Sequence, residues 1–183
     1  MASEAKRFLR QAIDQEVDHW AIKGHVDFLH KLWFRYFQPE SNAVYLIRKY
    51  LYYCSQPGML AKLQSRYYSV LLMRRYSIFI AEKCEIALGF KIWHPYGIII
   101  NNVKIGVNFQ IQHNCTIGRK TLGIGTPGTC PIIGDNVNMY AHSLIIGPVT
   151  VGNNVTIGAN SLVNKDILKP GVYVGSPVHY INS

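Results

Sequence analysis

Acidic residues are scarce in this chain: ten Asp and Glu stand against nineteen Lys and Arg, a formal net charge of +9. Long apolar runs are missing as well. The longest uninterrupted apolar stretch around the domain junction, Val70 to Met73, falls far short of the roughly 20 residues that cross a bilayer. Four cysteines, Cys54, Cys84, Cys115 and Cys130, show no C-x-x-C spacing and follow no secretory leader, which argues against a disulfide framework. Cys84 and Cys115 read as small core residues, and a thiol-reducing, cytoplasmic location is expected. The positive charge is not a tail: thirteen Lys or Arg face eight Asp or Glu before residue 91, and six face two from residue 91 on. No nucleic-acid-binding motif accompanies it, and Arg48-Lys49 and Arg74-Arg75 read as solvated helix faces, so no nucleic-acid partner is expected.

What the chain does have is a period of six. Ile133, Met139, Ile145, Val151, Ile157 and Val163 recur at that interval, with Val137, Ser143, Val149, Val155, Ser161 and Ile167 offset by four. A helix would repeat near 3.6 and a half-buried strand at 2, whereas a fixed six signals short parallel strands joined by tight corners. The same register runs through Ile80, Ile86 and Ile92, then Ile99, Ile105, Ile111 and Ile117. Their partners are Cys84, Phe90 and Tyr96, then Val103, Phe109, Cys115 and Thr121. Gly-x-Asn recurs at one phase in Gly106-Val107-Asn108, Gly134-Asp135-Asn136, Gly152-Asn153-Asn154 and Gly158-Ala159-Asn160. Both residue types accept left-handed backbone angles cheaply, so they are expected at the corners. Three hexads make a triangular coil of about 18 residues, and stacked coils supply the core that no single coil can bury.

The first 76 residues differ. Phe8, Ala12, Ile13, Val17 and Trp20, then Val26, Leu29, Trp33, Tyr36 and Phe37, recur at three- and four-residue steps, as amphipathic helices do. Gly24 separates the first two, Pro39 ends the second, Ser41 or Asn42 caps a third, and Pro57-Gly58 divides it from a fourth that runs to about Tyr76. The expected division is a helical domain over 1–76 and a β domain over 77–183, the latter with an inserted loop at 119–132 and a tail at 169–183. Tyr45, Tyr50, Tyr52, Tyr53, Tyr67 and Tyr68 sit at helical spacing, where core packing is the expectation for most.

Chemistry is sought among the histidines. His19, His25, His30 and His179 have no paired acid or metal spacing. His94 and His113 each follow an inward isoleucine by two residues, and their interval of 19 is one coil plus one residue, so both should occupy the same corner in successive coils, about 4.8 Å apart. His142 falls near that column, one residue out of phase. Zinc needs three or four ligands converging on a point, and a column at strand spacing does not converge, so no metal is expected.

The segments GFKIWHPYGIIINNVKIG, CTIG, PIIGDNV, IIGPVTVGNNVTIGANSLVNKD and VGSPVHYI resemble the hexapeptide-repeat acyltransferases, and within them the serine acetyltransferase-like branch. That resemblance, over residues 80–181, implies a mainly β fold, a left-handed parallel β-helix behind an N-terminal α-helical domain. It implies an acetyl-CoA-dependent O-acetyltransferase, with acetyl-CoA as acyl-donor cosubstrate. The catalytic base is the histidine three residues before the Gly-Ile-Val-Val-like segment, here Gly97-Ile98-Ile99-Ile100, hence His94. His113 falls where relatives carry a polar residue facing the acceptor, as a second catalytic or acceptor-binding candidate, and Arg119, Cys130 and His142 are the other acceptor-side candidates. Coenzyme A in the family touches backbone at positions matching Gly118, Ala141 and Ala159, with Lys165 and Lys169 as candidates for its phosphates. The amide around Gly118 is the implied oxyanion donor. A homotrimer with sites between protomers is the implied assembly.

Two departures bear on the acceptor. Where serine acetyltransferases carry an Arg-His pair, this chain has Thr129 and Cys130; where they carry an aspartate that orients the base, it has Phe79. A backbone carbonyl, Glu82 or a group from the next protomer is then left to hold His94. The short helical head resembles the O-acetyltransferases of bacterial capsule, exopolysaccharide or lipopolysaccharide synthesis. The expected acceptor is therefore a hydroxyl of a surface saccharide or its precursor, with serine or another small alcohol as the alternative and a non-catalytic scaffold in a glycan-assembly complex outside enzymes. The positive charge suits coenzyme A phosphates, an acidic glycan or peripheral contact with the anionic inner-membrane leaflet.

Overall fold

The computed structural model describes residues 2–17, 28–119 and 130–181. Four α-helices form the head: α1 (Ala2–Ala12), which runs on into a π-helical turn (Ile13–Val17), α2 (Phe28–Tyr36), α3 (Pro39–Cys54) and α4 (Met59–Tyr76). Trp20, Gly24, Val26, His19 and His25 lie outside the described residues. Pro39 starts α3 instead of merely ending its predecessor, because a first-turn N–H has no intrahelical acceptor to lose. The cap is Gln38, whose side-chain oxygen accepts the Ser41 N–H at 2.9 Å; Ser41 and Asn42, expected at the cap, are buried one turn further in. There Asn42 donates to the Arg35 carbonyl and accepts the Tyr76 hydroxyl at 2.8 Å, which ties α2, α3 and α4 together. Among the tyrosines Tyr50 is buried, Tyr67 is exposed, and Tyr53 stacks on Tyr68 at 5.6 Å.

Ser77 closes α4 in the left-handed conformation (φ 52°), and the first strand begins at Phe79. From there the chain winds a three-sided prism. Side one stacks Phe79–Ile80, Ile99–Ile100, Thr116–Gly118, Leu144–Ile146 and Leu162–Val163. Side two stacks Glu85–Ile86, Lys104–Ile105, Ile132–Ile133 and Thr150–Val151, extended by a bridge from Val151 to Ile167. Side three stacks Lys91–Trp93, Gln110–Gln112, Asn138–Met139, Val155–Ile157 and Gly171–Val174, and His179–Ile181 returns antiparallel along the last of these. Every other pairing is parallel, as a coil that always turns the same way requires. Phe90 and Phe109 stack inside the prism with ring centres 6.1 Å apart.

The inward positions follow the six-residue pattern from Ile133 to Val163, but the first coils correct it. Ile99 and Tyr96 point outward, while Ile98 and Ile100 are fully buried and Ile100 pairs with Ile80 and Ile117. The corner after Trp93 carries extra residues, and the next step, Ile100 to Ile105, is one residue short of six. The corner residues also divide their work differently from expectation. Asn108, Asn136, Asn154 and Asn160 adopt φ of 55–57°, whereas the paired glycines have no positive φ. Those glycines are required by stacking: a Cβ on Gly106 would lie 2.7 Å from the Gly134 carbonyl of the next coil.

Head and prism are joined by a buried ion pair. Arg48 of α3 donates to both carboxylate oxygens of Glu16 (2.7 and 2.6 Å) and to the carbonyls of Ile86 and Ala87 at 2.6 Å each. Glu16 also accepts the backbone N–H groups of Gly89 and Phe90 at 2.8 and 3.0 Å. Nearly every polar valence of both groups is thereby satisfied, the condition under which a buried pair is tolerated. Among the described residues no helix is long and apolar enough to cross a membrane.

Candidate active site

The corner between side three and side one gathers the histidines. Register fixes the column: Trp93 pairs with Gln112, so His94 stacks on His113, and the pairings of Ile117 with Ile145 and Ile145 with Val163 carry the same column on to Ala141 and Ala159. His94 and His113 rings lie 6.0 Å apart and edge-to-face, and His113 and His142 lie 5.2 Å apart in the same manner. His142 occupies the left-handed ladder beside the column, with φ 61°, between Asn114 and Asn160; its Nε2 is 3.4 Å from the Asn114 amide nitrogen. His94 and His142 are exposed, while His113 is half-buried, with its Nδ1 shut off from solvent and unpartnered. His94 itself has φ 54°, uncommon outside glycine and asparagine, which turns the chain sharply and leaves the imidazole on the outside of the edge.

Glu82 is not near this edge. It lies between sides one and two, where it lines a surface cleft with Tyr50, Tyr53 and Cys54 of the head, so it does not orient His94. Phe79 is exposed on side one. Among the described residues no group of three metal-binding side chains converges.

The other expected site residues, Lys169 apart, fall on a second edge. Gly118 ends its side-one strand five residues from His113, at most about 17 Å along extended chain. Its carbonyl accepts the Gly147 N–H at 2.9 Å. Half-buried Arg119 follows, and Cys130, also half-buried, leads into side two; residues 120–129, including Thr129, lie outside the described residues. Exposed Lys165 lines a surface cleft of about 570 Å³ with Leu162 and Asp166 at this same edge, and exposed Lys169 lies beyond the last side-two contact. One protomer therefore presents two groups of candidates, separated by the width of side one, with Lys169 apart from both at the corner between sides two and three. That side is mostly apolar on the outside: Phe79, Ile99 and Leu144 are each about two-fifths exposed, in one ladder that Thr116 interrupts between Ile99 and Leu144.

Burial holds three thiols in their neutral form. Cys84 is pushed up to about 11 by loss of hydration, and burial raises Cys115 and Cys54 as well. Cys84 donates to the Asn101 carbonyl and Cys115 to the Tyr140 carbonyl, which makes them packing residues without nucleophilic character.

Such a prism with a histidine edge and a helical head has the architecture of the hexapeptide-repeat acyltransferases. Comparison with known proteins agrees. No family model matches the chain. It is 36% identical over 98 residues to an Escherichia coli protein described as a colanic acid biosynthesis acetyltransferase, covering 52% of this chain and 58% of that one. It is 33% identical over 138 residues to the serine acetyltransferase of Buchnera aphidicola, covering 75% of this chain and 51% of the relative. The matches thus span little more than half of these relatives. Among solved structures, Neisseria gonorrhoeae serine acetyltransferase superposes with a TM-score of 0.77 at 20% identity, over 98% of this chain and 68% of its own. A serine acetyltransferase in complex with CoA superposes at 0.75 and 18% identity, over 98% and 72%. The resemblance to the hexapeptide-repeat superfamily and its serine acetyltransferase-like branch therefore holds in sequence and in fold. A mirror-image coil would not superpose in this way, so the prism is a left-handed parallel β-helix.

Sequence reasoning located the histidine column because its spacing is nearly regular. It missed the side chains next to that column, Trp93, Gln110 and Gln112, which come together only across coils.

Proposed function

We propose that this chain is an acetyl-CoA-dependent O-acetyltransferase whose acceptor is a hydroxyl of a cell-surface saccharide or its precursor, with His94 as general base. The observation that carries the reading is the single edge shared by His94, His113, Ala141 and Ala159, which puts the base in line with the two backbone positions the family uses for coenzyme A. An alcohol is a poor nucleophile until its proton is taken, and a neutral imidazole can accept it while the oxygen attacks the thioester carbonyl. The tetrahedral intermediate then collapses, the C–S bond breaks, and the imidazolium returns the proton to the departing thiolate. His113, edge-on to His94, keeps the ring upright and faces the acceptor; His142 bounds the acceptor side.

Gly118, Arg119, Cys130 and Lys165 belong to the other edge, and in this proposal they act, with Lys169 from the corner beyond side two, on a site completed by the neighbouring protomer. Gly118 supplies the amide for the oxyanion, Lys165 and Lys169 meet the coenzyme A phosphates, and Arg119 and Cys130 border the acceptor. The apolar ladder of side one supports a homotrimer, since an exposed strip of Phe79, Ile99 and Leu144 is stabilised by burial against another copy. A group from that copy is what holds the second nitrogen of His94. The reaction belongs in the cytoplasm, where acetyl-CoA is available and thiols stay reduced. Contact with the anionic inner leaflet is supported by α4, which has no acidic residue, carries Lys62, Arg66, Arg74 and Arg75, and exposes Met59, Leu60, Leu63 and Tyr67.

A second reading, serine as acceptor, is favoured by the 138-residue match to a serine acetyltransferase. Against it stand Thr129 and Cys130, which offer the serine carboxylate no cation where the family has an Arg-His pair, so that Arg119 or Lys120 at the loop's other end would have to substitute. Incubation of the purified protein with acetyl-CoA and a panel of serine, simple sugars and capsular oligosaccharides, followed by release of free thiol, separates the readings. Release with oligosaccharide supports the proposal, release with serine alone replaces the acceptor, and no release together with no acetyl-CoA binding leaves a scaffold.

A further inference from the structure

Beside the histidine edge, the outer face of side three differs from the other two. Side one is mostly apolar outside and side two shows Glu85, Lys104, Ile132 and Thr150. Side three instead carries a cleft of about 230 Å³ whose polar lining is Trp93, Gln110, Gln112, Asn138 and Tyr140, with Met139 as its floor. Among the described residues no lining side chain is charged. We propose that this cleft is the acceptor subsite and that it takes a neutral hexopyranose residue; the inference rests on the acyltransferase reading for its chemistry and on the cleft alone for its ligand.

The lining fits a sugar in three respects. Trp93 lies at one end of the cleft and Tyr140 at the other, two coils away, and the faintly positive C–H face of a pyranose is attracted to the negative face of an aromatic ring. Between them the carboxamides are already oriented by the protein. Trp93 Nε1 donates to Gln110 Oε1 at 3.1 Å, and Gln112 Oε1 accepts the Ala141 N–H at 3.2 Å. With their oxygens occupied, both glutamines have their NH₂ groups left to donate to sugar oxygens, while Asn138 and the Tyr140 hydroxyl can donate or accept. Preset donors of this kind spare a ligand the cost of ordering them. Size limits the occupant: the volume lies below the 300 Å³ or so typical of sites for drug-sized ligands, so it admits about one ring and leaves a longer chain outside.

Position connects the cleft to the reaction. Trp93, Gln112 and Tyr140 immediately precede His94, His113 and Ala141, so the outward row of the cleft runs one residue, about 3.3 Å of strand, from the catalytic edge. A ring lying on Trp93 puts a hydroxyl at His94. The absence of charge in the lining also decides against serine, whose ammonium and carboxylate would both be left unpaired there. Lys91, which pairs with Gln110 in the same sheet, lies outside the lining, so a uronic acid gains no partner within the cleft.

The test is ligand-observed saturation-transfer NMR on the full chain with lactose, maltose and digalacturonic acid, repeated with His94→Ala, Trp93→Phe and Trp93→Ala. The proposal expects saturation of pyranose protons of a neutral disaccharide in the wild type and equally in His94→Ala. Most of the signal should survive in Trp93→Phe, and it should fall by about tenfold or more in Trp93→Ala, the loss of one well-placed aromatic contact. In turnover, Trp93→Ala should raise KM for the saccharide with KM for acetyl-CoA unchanged. A circular dichroism melt of Trp93→Phe and Trp93→Ala against wild type separates loss of the cleft from loss of the fold. Binding of a neutral sugar without any acetyl transfer keeps the cleft and removes the acyltransferase reading. Acetyl transfer to serine with no neutral saccharide bound, binding only of digalacturonate, or binding indifferent to Trp93→Ala overturns the cleft and leaves the acyltransferase reading standing.

Discussion

Arg48→Met should cost more stability than any surface change in this molecule. Arg48 and Glu16 are both buried, at 3% and 2% exposure. The substitution removes two hydrogen bonds to the carboxylate and two to the carbonyls of Ile86 and Ala87, along with the guanidinium's position 5.5 Å over the Phe8 ring. What remains is a carboxylate held only by the N–H groups of Gly89 and Phe90 in a place water does not reach. Breaking a buried pair from one side costs about 3–5 kcal/mol, against a total stability of about 5–15 kcal/mol for a typical domain. Urea unfolding followed by circular dichroism reads the difference by linear extrapolation. The double variant Glu16→Gln/Arg48→Met should recover part of the loss, because it buries no lone charge. A loss below about 1 kcal/mol for Arg48→Met would refute the reasoning, since it would mean that water already reaches the pair. The consequence extends to the site: Ile86, Ala87 and Phe90 belong to the coil that ends at His94, so a loosened clamp should let that coil fray and lower activity without any change at the histidine edge.

Cys84, neutral up to about pH 11 when folded and titrating near 9 when unfolded, holds its proton more tightly in the native state. Its contribution is complete below pH 9 and is lost as the pH rises from there toward 11, by about 2–3 kcal/mol in all at about 1.4 kcal/mol per pH unit; Cys84→Ala should flatten the fall in urea-melt stability over that window. Phe109→Ala, which empties the place of one of two stacked rings at the centre of the prism, should cost about 3–5 kcal/mol by the same assay. Flotation with vesicles containing anionic phosphatidylglycerol should carry the protein upward at low salt and release it at high salt, and Arg74→Glu/Arg75→Glu should abolish this; equal flotation with neutral vesicles would refute an electrostatic contact with anionic lipid, and no flotation with either would refute the membrane contact itself.

The β-helix was legible because its constraint is local and repeated. From Ile133 to Val163 each inward side chain sits six residues from the last, and each is buried. The pattern failed where two irregularities compensate: the corner around Pro95 and Tyr96 is long and the step from Ile100 to Ile105 is short, so Ile98-Ile99-Ile100 offers three apolar residues and no rule to choose among them. Only the neighbouring coils decide, by pairing Ile100 with Ile80 and Ile117. Pro39 misled for a different reason, since the same residue is disfavoured inside a helix and favoured at its first position. The histidine column was half legible. His94 and His113 stand one near-regular coil apart, but the route from there to Ala141 passes through the inserted loop, which no count of six can cross without the pairing of Ile117 with Ile145. The Glu16 and Arg48 pair and the Trp93 cleft depend on contacts between distant residues and left no periodic trace.

The rate of acetyl transfer in His94→Ala tests the general-base role most directly. Measured under saturating acetyl-CoA with the best acceptor from the panel, the variant should lose about 10²–10⁴-fold in kcat while binding acetyl-CoA as the wild type does. A variant that turns over within about threefold of the wild type would show that the proton is taken elsewhere.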